Sequence, residues 1–168
     1  MNFDEIQNKY RDCEFAKFFH VEKDSGGEPL FDIVLVREMT GGIYFGERGR
    51  LYSPCGSCMG KGCQEAFDTE KYSWTEIERV LRVAFECADS RQKKLCIVDK
   101  ADVLESSRMW REAAADIAMF FPQVDIEFVY IDIAVSQLIQ EPAKFDVIVS
   151  SNMFGEILAG VLSTLHGN

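Results

Sequence analysis

A chain of 168 residues, 47% hydrophobic and 27% charged, is long enough for one domain with a substantial core and has the composition of a globular rather than a disordered protein. Its formal net charge of −10 and pI near 4.7 give a surface that repels phosphate backbones and anionic lipid, which argues against nucleic-acid or membrane binding. The polar start "MNFDEIQNKYRDCEF" lacks the apolar core of an export signal, and no apolar run approaches the roughly 18 residues of a membrane span, so the sequence reads as soluble and cytoplasmic.

In chain order, "CEFAKFFHVEK" and "LFDIVLVRE" read as strands parted by the turn-rich "DSGGEP". Residues 41–72 place short aromatic segments around a Gly- and Cys-rich loop and predict a protruding, hairpin-like β-arm. From residue 73 the pattern is regular. "SWTEIERVLRVAFECADSRQKK" opens with a capping box, Ser73 and Glu76, and sets Ile77, Val80, Leu81, Ala84 and Ala88 on one helix face. "KLCIVDK" reads as a strand, "SSRMWREAAADIAMFF" as a helix stopped by Pro122, and "DIEFVYI" as a strand. "DIAVSQLIQ" follows as a short helix, then "FDVIVS" as a strand and "FGEILAGVLSTL" as a final helix. Strands alternating with helices predict an α/β layer architecture with a largely parallel sheet. No internal repeat and no Pro-, Gly- or Ser-rich linker divides residues 1–168, which read as one domain with its arm.

Of the six cysteines, five fall into two kinds. Cys87 and Cys96 sit in a predicted helix and strand, where a free thiol behaves as a small apolar group. Cys55, Cys58 and Cys63 lie together in the arm loop, close enough in sequence to hold Zn²⁺ or to pair in a redox switch. A structural zinc needs a fourth ligand, and Cys13 and His20 are distant, so a loop of reduced thiols is the simpler reading. His20 and His166 have no partner motif and read as surface or strand-end residues; Trp74 and Trp110 read as packing residues on helices. Arg37, Lys100 and Asp132 stand where strands run into loops, the usual place for sites in α/β folds. Each is equally readable as a polar residue that ends a strand, and spacing alone does not make them converge.

The segments "LVREMTGGIYFGERG", "AFDTEKYSWTEIERVLRVAFECADSRQKKLCIVDKADVLESSRMWRE" and "FDVIVSSNMFGEIL" resemble the central part of the 3-isopropylmalate dehydrogenases, which belong with isocitrate and tartrate dehydrogenases among the β-decarboxylating dehydrogenases. The likeness runs in order from about residue 30 to 160. It implies an isopropylmalate-dehydrogenase-like fold and oxidative decarboxylation of a 2-hydroxy acid, of the leucine-biosynthesis type, dependent on NAD and on Mg or Mn. By the same resemblance Arg37 matches the arginine that grips a substrate carboxylate, where a planar bidentate donor suits the task. Tyr44 matches the tyrosine that protonates the product enolate, Lys100 the lysine that helps deprotonate the hydroxyl, and Asp132 a metal-binding aspartate. In the family the last two are lent to a neighbouring subunit, so a homodimer, or a heterodimer with a homologous subunit, is implied, with the arm at its interface.

The departures from the family pattern cluster. After "SSN-FG" the pattern is Asp, three residues, Asp, which places two carboxylates on one helix face; here the positions hold Glu156 and Gly160. Mg²⁺ demands near-octahedral oxygens at about 2.0–2.1 Å, so Glu156 is expected to ligate weakly or not at all. Asp102 stands in place of a usual asparagine and Ile133 in place of a commonly polar residue. The family's Gly-rich first turn and its adenosine loop have no counterpart in these residues, so little NAD affinity is expected of this chain alone. Two readings remain: a dehydrogenase portion, weak or inactive alone, and a non-catalytic dimerisation or regulatory module that binds a homologous dehydrogenase subunit.

Overall fold

Strands whose residues are apolar without alternation need cover on both faces, and "LCIV" and "VIV" are of that kind. In the computed structural model, which describes residues 3–24, 29–53 and 63–166, these segments form the middle of a five-stranded sheet. In chain order the elements are α1 (Phe3–Lys9), β1 (Ala16–Asp24), β2 (Pro29–Glu38), β3 (Arg48–Ser53), β4 (Cys63–Asp68), α2 (Trp74–Asp89), β5 (Lys94–Asp99), α3 (Glu105–Ala118), β6 (Asp125–Tyr130), α4 (Ile131–Gln140), β7 (Val147–Ser150) and α5 (Asn152–His166). The large sheet runs β1-β2-β7-β5-β6, with β1 antiparallel to β2 and the other pairs parallel. The fold is therefore α/β with a mixed sheet. β3 and β4 pair antiparallel in a separate two-stranded sheet, the predicted arm.

The pleat divides the core in two. Val34, Val36, Leu95, Ile97, Val147 and Val149 face α2 and α3, while Ile33, Leu35, Cys96, Val98 and Ile148 face α4 and α5. The helix after β5 thus covers one face and the helix after β7 the other. The crevice between the carboxyl ends of these neighbouring strands is the topological switch point, where α/β folds bind ligands.

Several elements differ from the sequence expectation for local reasons. α1 is anticipated by nothing apolar except Ile6, which is fully buried; the helix is too short to stand alone and is held by Lys9 and Tyr10, whose side chains both donate to Glu86 of α2. α3 stops at Ala118 rather than at Pro122, because Phe120 and Phe121 donate to carbonyls three residues back and the chain tightens into turns before the proline. His20 has a partner after all: its Nε2 lies 2.8 Å from Asp32 Oδ1 across the β1–β2 pair. Trp110 is buried as expected, but Trp74 is partly exposed in a shallow groove between α2 and α3. Cys87 and Cys96 are buried free thiols, and burial pushes both up to about 12. Cys55 and Cys58 lie outside the described residues, as do the side chains of Cys63 and His166.

At the amino end of the sheet, Arg91 Nε donates to Asp146 Oδ1 at 2.7 Å while Gln92 N–H donates to Asp146 Oδ2 at 2.9 Å, and a second guanidinium nitrogen meets Asp32 at 2.9 Å. Asp146 is fully buried, so removing the arginine leaves a charge without compensation. Arg91→Ala is expected to lower the unfolding free energy by about 3–5 kcal/mol, read by urea denaturation.

Candidate active site

β2 ends in Arg37-Glu38, and its pairing with β7 sets Arg37 beside Ser150, two residues before α5 begins. The first residue of α5, Asn152, turns its side chain away from its own helix. Its Oδ1 accepts from Arg37 Nε at 3.0 Å and from Nη2 at 2.8 Å, and its Nδ2 donates to the Gly41 carbonyl at 3.2 Å. Its backbone N–H donates to the hydroxyl of Tyr72 at 2.9 Å. The aliphatic part of Arg37 lies against Gly155, where an added Cβ would come within 2.7 Å of Arg37 Cγ. "SSN-FG" is thus an arginine seat as well as a helix start.

Glu38 is fully buried and accepts from Thr40 N–H, the Thr40 hydroxyl and Gly41 N–H at 2.8, 2.5 and 2.9 Å. Tyr72, on which Trp110 packs edge-on at 5.8 Å between ring centres, sits over Gly41 and Gly42. Gly42 has a φ of 79°, a conformation glycine adopts without penalty, and starts the short 3-10 turn that ends at Tyr44. This turn brings the Tyr44 hydroxyl to Glu156 Oε2, which also accepts from Arg37 Nη2 at 2.9 Å. The hydrogen bond to the carboxylate raises the Tyr44 phenol, keeping it protonated, and lowers Glu156, with the charge of Arg37 assisting.

Lys100 follows β5 and Asp132 lies in the first turn of α4. Lys100 Nζ meets Asp132 Oδ1 at 2.8 Å and Asp102 Oδ2 at 3.4 Å, above the Tyr130 ring at 5.1 Å. The bond to Asp132, aided by Asp102, holds Lys100 above the ordinary lysine range, and the same bond lowers Asp132. The pair is therefore ionised, and Lys100 in this arrangement is a poor base. From the strand order, Arg37 and Lys100 stand about two strand spacings apart, roughly 10 Å, on opposite sides of the switch-point crevice.

The structure thus gathers Arg37, Tyr44 and Glu156 into one group and Lys100, Asp132 and Asp102 into a second, while Cys55 and Cys58 fall outside the description. Asn152, Gly155, Tyr72 and Glu38 were not singled out by sequence reasoning; an asparagine at a helix start reads as a cap, and its long-range bond to Arg37 leaves no local signal. The donor set of one chain does not fit Mg²⁺. Glu156 Oε2 is engaged by Arg37 and Tyr44, Asp132 by Lys100, Gly160 offers no oxygen from a side chain, and among the described residues no three His, Cys, Asp or Glu side chains converge. No described helix is long and apolar enough to cross a membrane.

Asn152 is buried, so truncating it strands the Arg37 donors and the Gly41 carbonyl. Asn152→Ala is expected to cost about 2–3 kcal/mol of stability in urea denaturation, whereas the exposed Glu156→Ala should leave the denaturation midpoint nearly unchanged.

Comparison with known proteins bears on this geometry. The sequence pattern of the family described as isocitrate/isopropylmalate dehydrogenase matches residues 8–168. The 3-isopropylmalate dehydrogenase of Clostridium acetobutylicum is 48% identical over 137 residues, that of Vibrio cholerae 51% over 140, and that of Bacillus subtilis 50% over 137. In each case the alignment covers 82% of this chain and 36% of the relative, so the chain spans little more than a third of the length of these proteins. Among solved structures, isocitrate dehydrogenase from Methylococcus capsulatus superposes with a TM-score of 0.74 at 26% identity, covering 92% of this chain and 45% of that one. A Thermus thermophilus protein superposes with a TM-score of 0.76 at 25% identity, covering 98% of this chain and 32% of the other. With nearly the whole chain matched, it belongs to the isocitrate/isopropylmalate dehydrogenase family.

Proposed function

We propose that this chain is a site-bearing portion of a 3-isopropylmalate-dehydrogenase-type enzyme, in which Arg37 binds a carboxylate of a 2-hydroxy acid and Tyr44 serves as a proton donor. The observation that carries the reading is the seat built for Arg37: a side chain only 13% exposed, its guanidinium fixed by Asn152 at a switch-point crevice, with a protonated phenol beside it. Such a fixed fork suits a carboxylate, because little of its freedom remains to be lost on binding. Lys100 and Asp132 are the groups that the chain would lend to a partner subunit. NAD and Mg or Mn supply hydride acceptance and Lewis acidity in the ancestral reaction. The one-chain donor set does not fit the metal, so weak or no turnover is expected from this chain alone.

A second reading, that of a dimerisation or regulatory module bound to a homologous dehydrogenase subunit, is favoured by exposed apolar side chains. Leu51, Tyr52 and Phe67 lie bare on the two-stranded arm, and Ile133, Ile139 and Ile157 on the two helices of one sheet face. The two readings share a partner and differ in what crosses the interface.

NAD reduction with 3-isopropylmalate and Mg²⁺ separates them, for the chain alone and mixed with a full-length homologous subunit whose counterpart of Lys100 is replaced by alanine. Rescue of turnover in the mixture is the expected result; a mixed dimer without rescue leaves only the binding role. A Cβ at Gly160 would meet open space, so a carboxylate fits there. Glu156→Asp with Gly160→Asp is expected to strengthen Mn²⁺ binding at least tenfold over the unaltered chain, read by electron paramagnetic resonance of free Mn²⁺.

A further inference from the structure

We infer that Glu156 is an internal competitor for the carboxylate site: its own carboxylate occupies Arg37 and Tyr44, and a ligand enters only by displacing it. The inference deepens the reading of Arg37 as a carboxylate-binding group and rests on it. Three observations carry it. Arg37 is fixed, since Asn152 takes its Nε and one bond from its Nη2. The remaining inward contact of Nη2, at 2.9 Å, and the Tyr44 hydroxyl both end on one atom, Glu156 Oε2. That atom therefore stands where an oxygen of a bound carboxylate would collect the same two donors.

Glu156, unlike Arg37, is free to leave. Its side chain is 55% exposed against 13% for the arginine, and it belongs to the outward face of α5. Displacing it breaks its contacts to Arg37 and Tyr44 and leaves a carboxylate in water, where it is well solvated. Tyr44 is exposed too, on a short turn braced by Arg48, whose guanidinium donates to the Tyr44 carbonyl at 2.5 Å. A tethered carboxylate lowers apparent affinity by the fraction of time the site is open, so an open fraction near one tenth weakens binding about tenfold. Glu156 thus sets a threshold for its site: a dicarboxylate that engages Arg37 and a second cation prevails over the single internal group more easily than a monocarboxylate does.

Two measurements test this, one with ligand and one without. Isothermal titration with 3-isopropylmalate is made on the unaltered chain, Glu156→Gln, Arg37→Gln, and the double variant that combines them. The expected result is binding five- to thirtyfold tighter for Glu156→Gln, with the gain lost in the double variant. Equal or weaker binding by Glu156→Gln overturns the competitor, and so does a gain that survives loss of Arg37, which reports only a change in net charge. Thermal midpoints of the two single variants and the double variant form a cycle that needs no ligand. Non-additive midpoints are expected; additive ones mean that the pair is not formed, and they overturn the inference whatever the ligand does. Non-additive midpoints with no binding by any variant overturn instead the carboxylate reading of Arg37, and the competitor with it.

Discussion

One buried amide holds the candidate site together. Asn152 meets the end of β2 through Arg37, the base of the arm through Gly41, and the segment before α2 through Tyr72, while its own backbone begins α5. Segments that are 115 and 80 residues away in sequence are brought to one residue, through part-buried bonds to Arg37 and buried ones to Gly41 and Tyr72. An unsatisfied donor there would cost about 1–3 kcal/mol, so the arrangement is over-determined rather than adjustable. The glycines follow from it. Gly155 leaves room for the arginine stem, and Gly42 gives the left-handed residue that aims Tyr44 back toward α5.

The electrostatics of the crevice follow from the acidity of the chain. With 28 acidic against 18 basic residues, cations at the site acquire carboxylate neighbours readily. Arg37 has Glu156, and Lys100 has both Asp132 and Asp102. A lysine held this way carries its proton firmly, which is the wrong state for accepting one. On the proposed reading, Lys100 would have to lose its aspartates to act as a base, and a second subunit that engaged Asp132 would be a means to that end. Dimerisation would then alter the protonation of Lys100 as well as complete a list of residues.

The central sheet was legible because its constraint is local in sequence: a parallel strand covered on both faces is apolar along its run, and "LCIV" and "VIV" are. α2 was legible for the same reason, with Ser73 and Glu76 forming the expected capping box and its periodic face wholly buried. Arg37, Tyr44, Lys100 and Asp132 stand out together in the sequence only through the family resemblance, and the structure gives each of them close partners without assigning it a role. What could not be read is what depends on register. His20 and Asp32 meet because β1 and β2 pair His20 with Val34 and Glu22 with Asp32, a diagonal that exists only once the strands are aligned. The role of Asn152 was hidden likewise, and α1 was hidden because one buried isoleucine makes no pattern.

Positions 156 and 160 are linked by charge balance. Two carboxylates one helical turn apart repel unless a cation lies between them. Removing one, as Gly160 does, ends the repulsion and also half of what would hold the cation. The survivor then takes the nearest positive group, and the longer reach of glutamate over aspartate lets it find Arg37 from an exposed helix face. On the proposed reading the longer side chain at 156 and the missing one at 160 act together: a helix face with one carboxylate and no second one to share a cation closes on its own arginine. Such closure costs the fold little, since a side chain at position 160 would meet open space and Glu156 is half in water, so on this reading its consequence falls on ligand binding rather than on stability.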